Sequence, residues 1–167
     1  MKRILALFLA SAYFAPFALA VDQKFGVVDL QKALQSVEEG KKAKSTLEKE
    51  FNEKKKQIQG EEEALKKVTE DFKKQSMVLS EDARGRKQNE IQERIMKYRE
   101  MFSKAQFDIQ ARERELTEPI IGKLRKLVEE IGEKDSYTMI FEKSESSVIF
   151  HSKKDDLTDR VISTFNK

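Results

Sequence analysis

The chain has 167 residues, with 33 Lys and Arg against 30 Asp and Glu, no Cys, no Trp, one His and six Gly. This composition excludes a disulfide framework, thiolate metal sites and a cysteine nucleophile, and without a glycine-rich phosphate loop it argues against Rossmann-type and barrel enzymes. Charged residues, at 38 %, are as frequent as apolar ones, which suits long solvated helices better than a compact globule.

Met1-Lys2-Arg3 is a short positive start, and Ile4 to Phe17 is apolar, broken only by Ser11 and Pro16. Ala18-Leu19-Ala20 supplies a small-x-small cleavage pattern. Residues 1–20 therefore read as a secretory signal peptide cut near Ala20, since the apolar stretch falls short of the ~20 residues a spanning helix needs. Removing Lys2 and Arg3 leaves 31 basic against 30 acidic residues, so the mature chain is close to neutral and nucleic acid is not an expected partner.

Lys24 to Leu30 is a short β-branched run that reads as a strand, and Gln31 to Val37 as a short helical piece. Lys41 to Leu79 has no proline and one glycine, Gly60, and reads as helix. Ser80-Glu81-Asp82 is a break, with Ser80 as N-cap and acidic residues in the following first turn. Ala83 to Glu118 is again helical; Pro119 is expected to kink or restart it, with Thr117 as a new cap, and Ile120 to Ile131 continues. Tyr137 to Phe141 and Val148 to Phe150 read as two strands joined by a hairpin loop at Ser144-Glu145-Ser146. A last amphipathic helix places Leu157, Val161, Ile162 and Phe165 on one face.

The long helices carry heptads. Phe51, Ile58, Leu65, Phe72 and Leu79 recur at steps of seven, with Leu47 and Val68 on the second seam position. Ile91, Ile95, Tyr98, Phe102, Ala105, Ile109 and Leu116 follow the alternating three-four spacing. Folding back near residues 80–84 pairs Phe72 with Ile91, Val68 with Ile95, Leu65 with Tyr98, Ile58 with Ala105 and Leu47 with Leu116, each pair summing to 163. Several other layers carry a charge or an amide, Lys54 opposite Ile109 and Phe51 opposite Arg112 among them, so the hairpin is expected to be softest between 51–61 and 102–112.

The expected fold is mainly α with a small β body. Residues 40–116 form an antiparallel coiled-coil arm, and residues 21–39 and 117–167 a body of three short strands plus helices. Roughly seventy residues without a disulfide make a marginal core. Apolar strands read as buried on both faces, so another copy of the chain is expected to cover Val27, Val28, Met139, Ile140, Phe141, Val148, Ile149 and Phe150. Met77, Met96, Met101 and Phe107 lie off the seam and are candidates for binding other chains, Met being adaptable on promiscuous surfaces. Lys54-Lys55-Lys56, Lys73-Lys74 and Arg84-Gly85-Arg86-Lys87 make the arm locally basic, which fits steering toward acidic polymers or anionic lipid headgroups. No residues form a catalytic, metal or cofactor constellation, and His151 reads as structural.

In this order the segments resemble the OmpH-like (Skp-type) family of periplasmic chaperones. The matching stretches are GVVDLQKALQSVEEGKKAKSTLEKEFN (Gly26 to Asn52), Gln75-Ser76-Met77 before the tip, and DLTDRVISTFNK (Asp156 to Lys167). The resemblance implies a periplasmic homotrimer whose strands build one body and whose arms surround a cavity. It implies an ATP-independent holdase for unfolded outer-membrane β-barrel proteins. The family's proposed lipopolysaccharide cluster is matched here only by Arg112 and Arg114 and is not carried over. A second reading is an envelope coiled-coil adaptor or spacer that docks a folded partner through the hairpin tip.

Overall fold

The computed structural model describes residues 23–167; the signal-peptide reading of residues 1–20 lies outside them. Strand β1 (Phe25–Val28) runs directly into helix α1 (Leu30–Ser36), whose N-cap Asp29 accepts a hydrogen bond from the Lys32 N–H at 2.7 Å. Helix α2 (Glu38–Gln75) follows after one extended residue, Val37. Its own N-cap side chain is apolar and cannot accept, so the cap comes from the other end of the chain: the Glu38 N–H donates to Asn166 Oδ1 at 3.0 Å. The corner between α1 and α2 is tight. A Cβ on Gly40 would sit 1.7 Å from the Leu34 carbonyl oxygen, so only glycine fits there.

Helix α3 (Glu81–Lys134) begins at the Ser80 cap read from the sequence, with Ser80 Oγ accepting from the Ala83 N–H. Two expectations need correcting. First, α2 stops at Gln75 rather than Leu79, so the turn occupies 76–80, ahead of the expected 80–84. Leu79 continues the heptad by number, and periodicity alone cannot see that the helix has already ended. Second, α3 runs through Pro119 without a restart: the Thr117 hydroxyl bonds back to the Glu113 carbonyl one turn earlier and does not act as a cap. The helix ends in a Schellman motif. Ser136 takes the left-handed conformation at φ 57°, and the Tyr137 N–H donates to the Gly132 carbonyl at 2.9 Å.

Strand β2 (Met139–Glu142) pairs with β1 in parallel, Phe25 opposite Met139 and Val28 opposite Glu142. Parallel neighbours need a long crossover, and here the crossover is the whole helical hairpin. On the other side of β1, the Leu157 N–H donates to the Val27 carbonyl at 2.8 Å. A 3-10 turn (Lys153–Asp155) and helix α4 (Thr158–Phe165) then close the base. The expected third strand is absent: Val148–Phe150 has no strand pairing among the described residues, and 143–147 form turns rather than a hairpin loop. That run has strand-forming residues, yet among the described residues it leaves the outer edge of β2 unpaired.

Alternate residues of the sheet point to opposite sides. Gly26, Val28, Ile140 and Glu142 face the helices, where Leu34, Val37, Ile120, Leu124, Ile131, Leu157 and Val161 make the buried core. Thr158 is the one buried polar residue among the described ones, and its hydroxyl accepts from the Asp29 N–H at 3.0 Å. Glu142 ties β2 to its surroundings. One carboxylate oxygen accepts from the Leu30 N–H, and the other from the Ser144 hydroxyl and the Glu145 N–H. Partial burial pushes this carboxyl up, yet those three hydrogen bonds outweigh it and hold it below the usual range.

Candidate functional site

Along the arm, ion pairs cross from α2 to α3. Lys54–Asp108 closes at 2.8 Å, Glu50–Arg112 at 3.1 Å and Glu39–Lys123 at 2.8 Å, and each pair sums to 162, one less than the register read from the heptads. Nearer the tip, Glu61 meets Arg94 at 3.7 Å. The hydrogen bond from Lys54, joined by the nearby Lys104, holds the Asp108 carboxyl below its ordinary value. Arg112 is also shared with Glu115 at 2.8 Å.

Between these bridges the seam opens. Ile91 is buried, while Leu47, Ile58, Leu65, Val68, Phe72, Ile95, Tyr98, Ala105, Ile109 and Leu116 are half-buried. Phe51 and Phe102, counted in the seam by periodicity, are 51 % and 44 % exposed. They line a groove of about 580 Å³ with Ile58, Tyr98, Ala105 and Ile109, rimmed by Lys54, Lys55 and Glu62. The physical cause is the layer chemistry. Lys54 and Arg112 sit at seam positions and reach out to carboxylates, so they do not fill the space between the helices, and the neighbouring rings have too little to pack against. The groove offers an apolar floor with three aromatic rings, those of Phe51, Tyr98 and Phe102, to a side chain brought from outside.

Three of the four off-seam candidates are exposed. Met96 and Phe107 are eleven residues apart, close to three turns, and share the face of α3 away from α2. Met101, on the flank, is half-buried. Met77 lies in the turn, 92 % exposed, beside Val78 at 84 %. Sequence reasoning missed Val78; its signal was an apolar residue outside the heptad next to an unpaired Met. Phe51 and Phe102 were assigned to the seam, within the stretches 51–61 and 102–112 expected to be softest, and it is their exposure that periodicity did not give.

At the base, the sheet face opposite the helices is only partly covered among the described residues. Phe25, Met139 and Phe141 are exposed there, with the Phe25 and Phe141 rings 6.4 Å apart. Phe141, Val148, Phe150 and His151 border a shallow hollow of about 670 Å³. Ile149 and Phe150 project into solvent. The expected oligomerisation set therefore divides. Val28 is buried in the core and Ile140 packs inward against it, whereas Val27, though buried, lies on the outer face at the floor of that hollow, and Val148 is half-buried at its edge. Met139, Phe141, Ile149 and Phe150 remain available. Among the described residues the outer face of the sheet is thus only partly covered. Among the described residues no three His, Asp or Glu are grouped to hold a metal, and no helix is long and apolar enough to cross a membrane.

Comparison with known proteins adds two findings. The family model described as outer membrane protein (OmpH-like) matches residues 24–165. A solved structure from Caulobacter crescentus CB15, described as a candidate outer membrane chaperone (OmpH-like), superposes with a TM-score of 0.74 at 15 % identity, covering 93 % of this chain and 90 % of that one. A comparison with curated proteins finds no match.

Proposed function

This chain belongs to the OmpH-like family of outer membrane proteins, and from that premise we propose that it is an ATP-independent periplasmic holdase that keeps unfolded outer-membrane β-barrel proteins from aggregating. The observation that carries the reading is the open mid-arm groove, with Phe51 and Phe102 exposed on an otherwise charged shaft. A holdase must grip many sequences weakly and let go without fuel. Shallow apolar sites on a well-solvated arm meet that need, because each contact is small and their number sets the affinity. Met77, Met96 and Phe107 add further contacts of the same kind, with the half-buried Met101 as a lesser one.

The partly exposed sheet face supports assembly. Parallel strands are stable when both faces are covered, and one face here leaves Phe25, Met139 and Phe141 exposed among the described residues. In the proposed homotrimer, Met139, Phe141, Ile149 and Phe150 of each copy meet their neighbours, and the arms project around a shared cavity. Residues 1–20 act as the export signal that delivers the chain to the periplasm.

The test is suppression of aggregation of a denatured outer-membrane barrel protein by the purified mature chain, without nucleotide. Suppression near one trimer per client is expected, and its absence at several-fold excess overturns the proposal. Assembly is tested separately with Ile149→Asp. Ile149 is fully exposed, so the substitution leaves the chain's own core intact. Light scattering is expected to report monomers, and a surviving trimer removes these residues from the interface.

A further inference from the structure

We propose that the surface methionines of the arm are oxidation sites through which peroxides weaken client binding without unfolding the protein. The inference rests on the holdase reading and adds a control to it. The sequence has five Met but no Cys and no Trp, so thioether sulfur is the most readily oxidised group it offers. None of the four Met among the described residues belongs to the core, which is built of Val, Ala, Leu and Ile. Met77 and Met96 are exposed on the arm, Met101 is half-buried there, and Met139 is exposed on the sheet. Methionine is ordinarily among the residues found inside, so this placement decides what oxidation does here.

In the reaction the sulfur lone pair attacks one peroxide oxygen and the O–O bond breaks. An S–O bond forms, sulfur gives up two electrons, and the second oxygen leaves as water with both protons. The product is a sulfoxide, polar and chiral where the thioether was apolar and flexible. In a core that new dipole would be buried without a partner and would cost the fold dearly. On the arm it stays in water, so the helices are left as they were and only the surface changes. Met96 shares its face of α3 with Phe107, Met101 lies on the flank, and Met77 sits in the turn. When binding is the sum of many shallow contacts, losing three together costs far more than losing one. Phe51, Phe102 and Phe107 do not react, so the grip weakens and is not abolished. Met139 is set apart: it lies on the sheet face that the proposed trimer covers, and it is expected to react last.

The mature protein is treated with hydrogen peroxide, which is removed before any client is added. Peptide mass spectrometry is expected to find one added oxygen at Met77 and Met96 first, then at Met101. Circular dichroism and light scattering should not change. The amount of protein needed to protect a denatured outer-membrane barrel protein is expected to rise about tenfold. Methionine sulfoxide reductases for both epimers, with dithiothreitol as electron source, should reverse the loss. The triple variant Met77→Leu, Met96→Leu, Met101→Leu keeps the apolar contacts and is expected to protect equally before and after peroxide. Undiminished protection by wild type carrying all three sulfoxides, an equal loss in the triple variant, or a loss of helix content on oxidation would each overturn this inference alone. Untreated wild type that protects no client overturns the holdase reading, and this inference with it.

Discussion

One helix, α3, passes through both regions of the molecule and behaves differently in each. Toward its C-terminus it buries Ile120, Leu124 and Ile131 against residues from both ends of the chain, while along the arm only Ile91 is fully buried. The base is held by contacts between segments more than a hundred residues apart; the arm is held by a partly open seam and by half-buried ion pairs that water still screens, each worth little. The difference teaches that rigidity and adaptability are divided by layer composition rather than by separate folding units. Apolar layers close the base, and Lys54 and Arg112 in seam positions leave the arm unfinished.

The largest expected effect comes from Gly40→Ala. Its Cβ would overlap the Leu34 carbonyl, so the corner between α1 and α2 must shift, and a loss above about 3 kcal/mol is expected. Chemical denaturation followed by circular dichroism measures it. A cost under 1 kcal/mol would show the base to be as pliant as the arm.

Next comes a matched pair. Leu124→Ala removes a fully buried side chain and is expected to cost about 3 kcal/mol, whereas Ile58→Ala, already beside an open groove, should cost about 1 kcal/mol. Hydrogen exchange read separately for base and arm sharpens the contrast. Equal costs would mean the groove is closed in solution.

Acid should act on the base in a smaller way. Glu142 and Asp156 both have lowered folded values. In each, burial opposes ionisation but is outweighed by hydrogen bonds, those to Asp156 coming from Thr158. A lowered carboxyl adds stability that is complete above its unfolded value and is lost as the pH falls through the folded one. Melting temperature should therefore hold steady down to about pH 5 and drop below about pH 4. In Glu142→Gln that drop should be shallower, from a lower starting stability. An unchanged drop would assign the acid response to other carboxylates.

The smallest effect has the opposite sign. A Cβ on Gly60 would meet nothing within 4 Å, so Gly60→Ala should stabilise the arm by about 0.5–1 kcal/mol while leaving the base unaffected. A measurable loss instead would reveal a backbone shape in α2 that alanine cannot adopt.

Much of the architecture was legible because its signals are local. Heptad spacing, the Ser80 cap and the final amphipathic turn each sit within a few residues of the feature they specify. The parallel pairing of β1 with β2 was not legible, since it joins residues 25 and 139 and leaves no short-range mark. Val148–Phe150 misled for a related reason: β-branched and aromatic residues declare a preference for strand without saying whose edge will receive them. On the proposed binding surface, Met96 and Phe107 could be found as apolar residues out of phase. Phe51 and Phe102 were legible only as part of a soft stretch, because the charged layers marked weak packing there without saying which side chains would be left exposed. The Gly40 corner was likewise invisible, as proximity to Leu34 follows from the chain's path and not from residue type.

Because the hairpin is the crossover linking two paired strands, both of its feet are fixed in the base while its length is set by nothing else in the fold. Whole heptads added to or deleted from the two limbs together would preserve every base contact and every face of the seam. Reach is therefore a quantity that evolution or an engineer can dial in matched steps, lengthening or shortening the arm without redesigning its foundation.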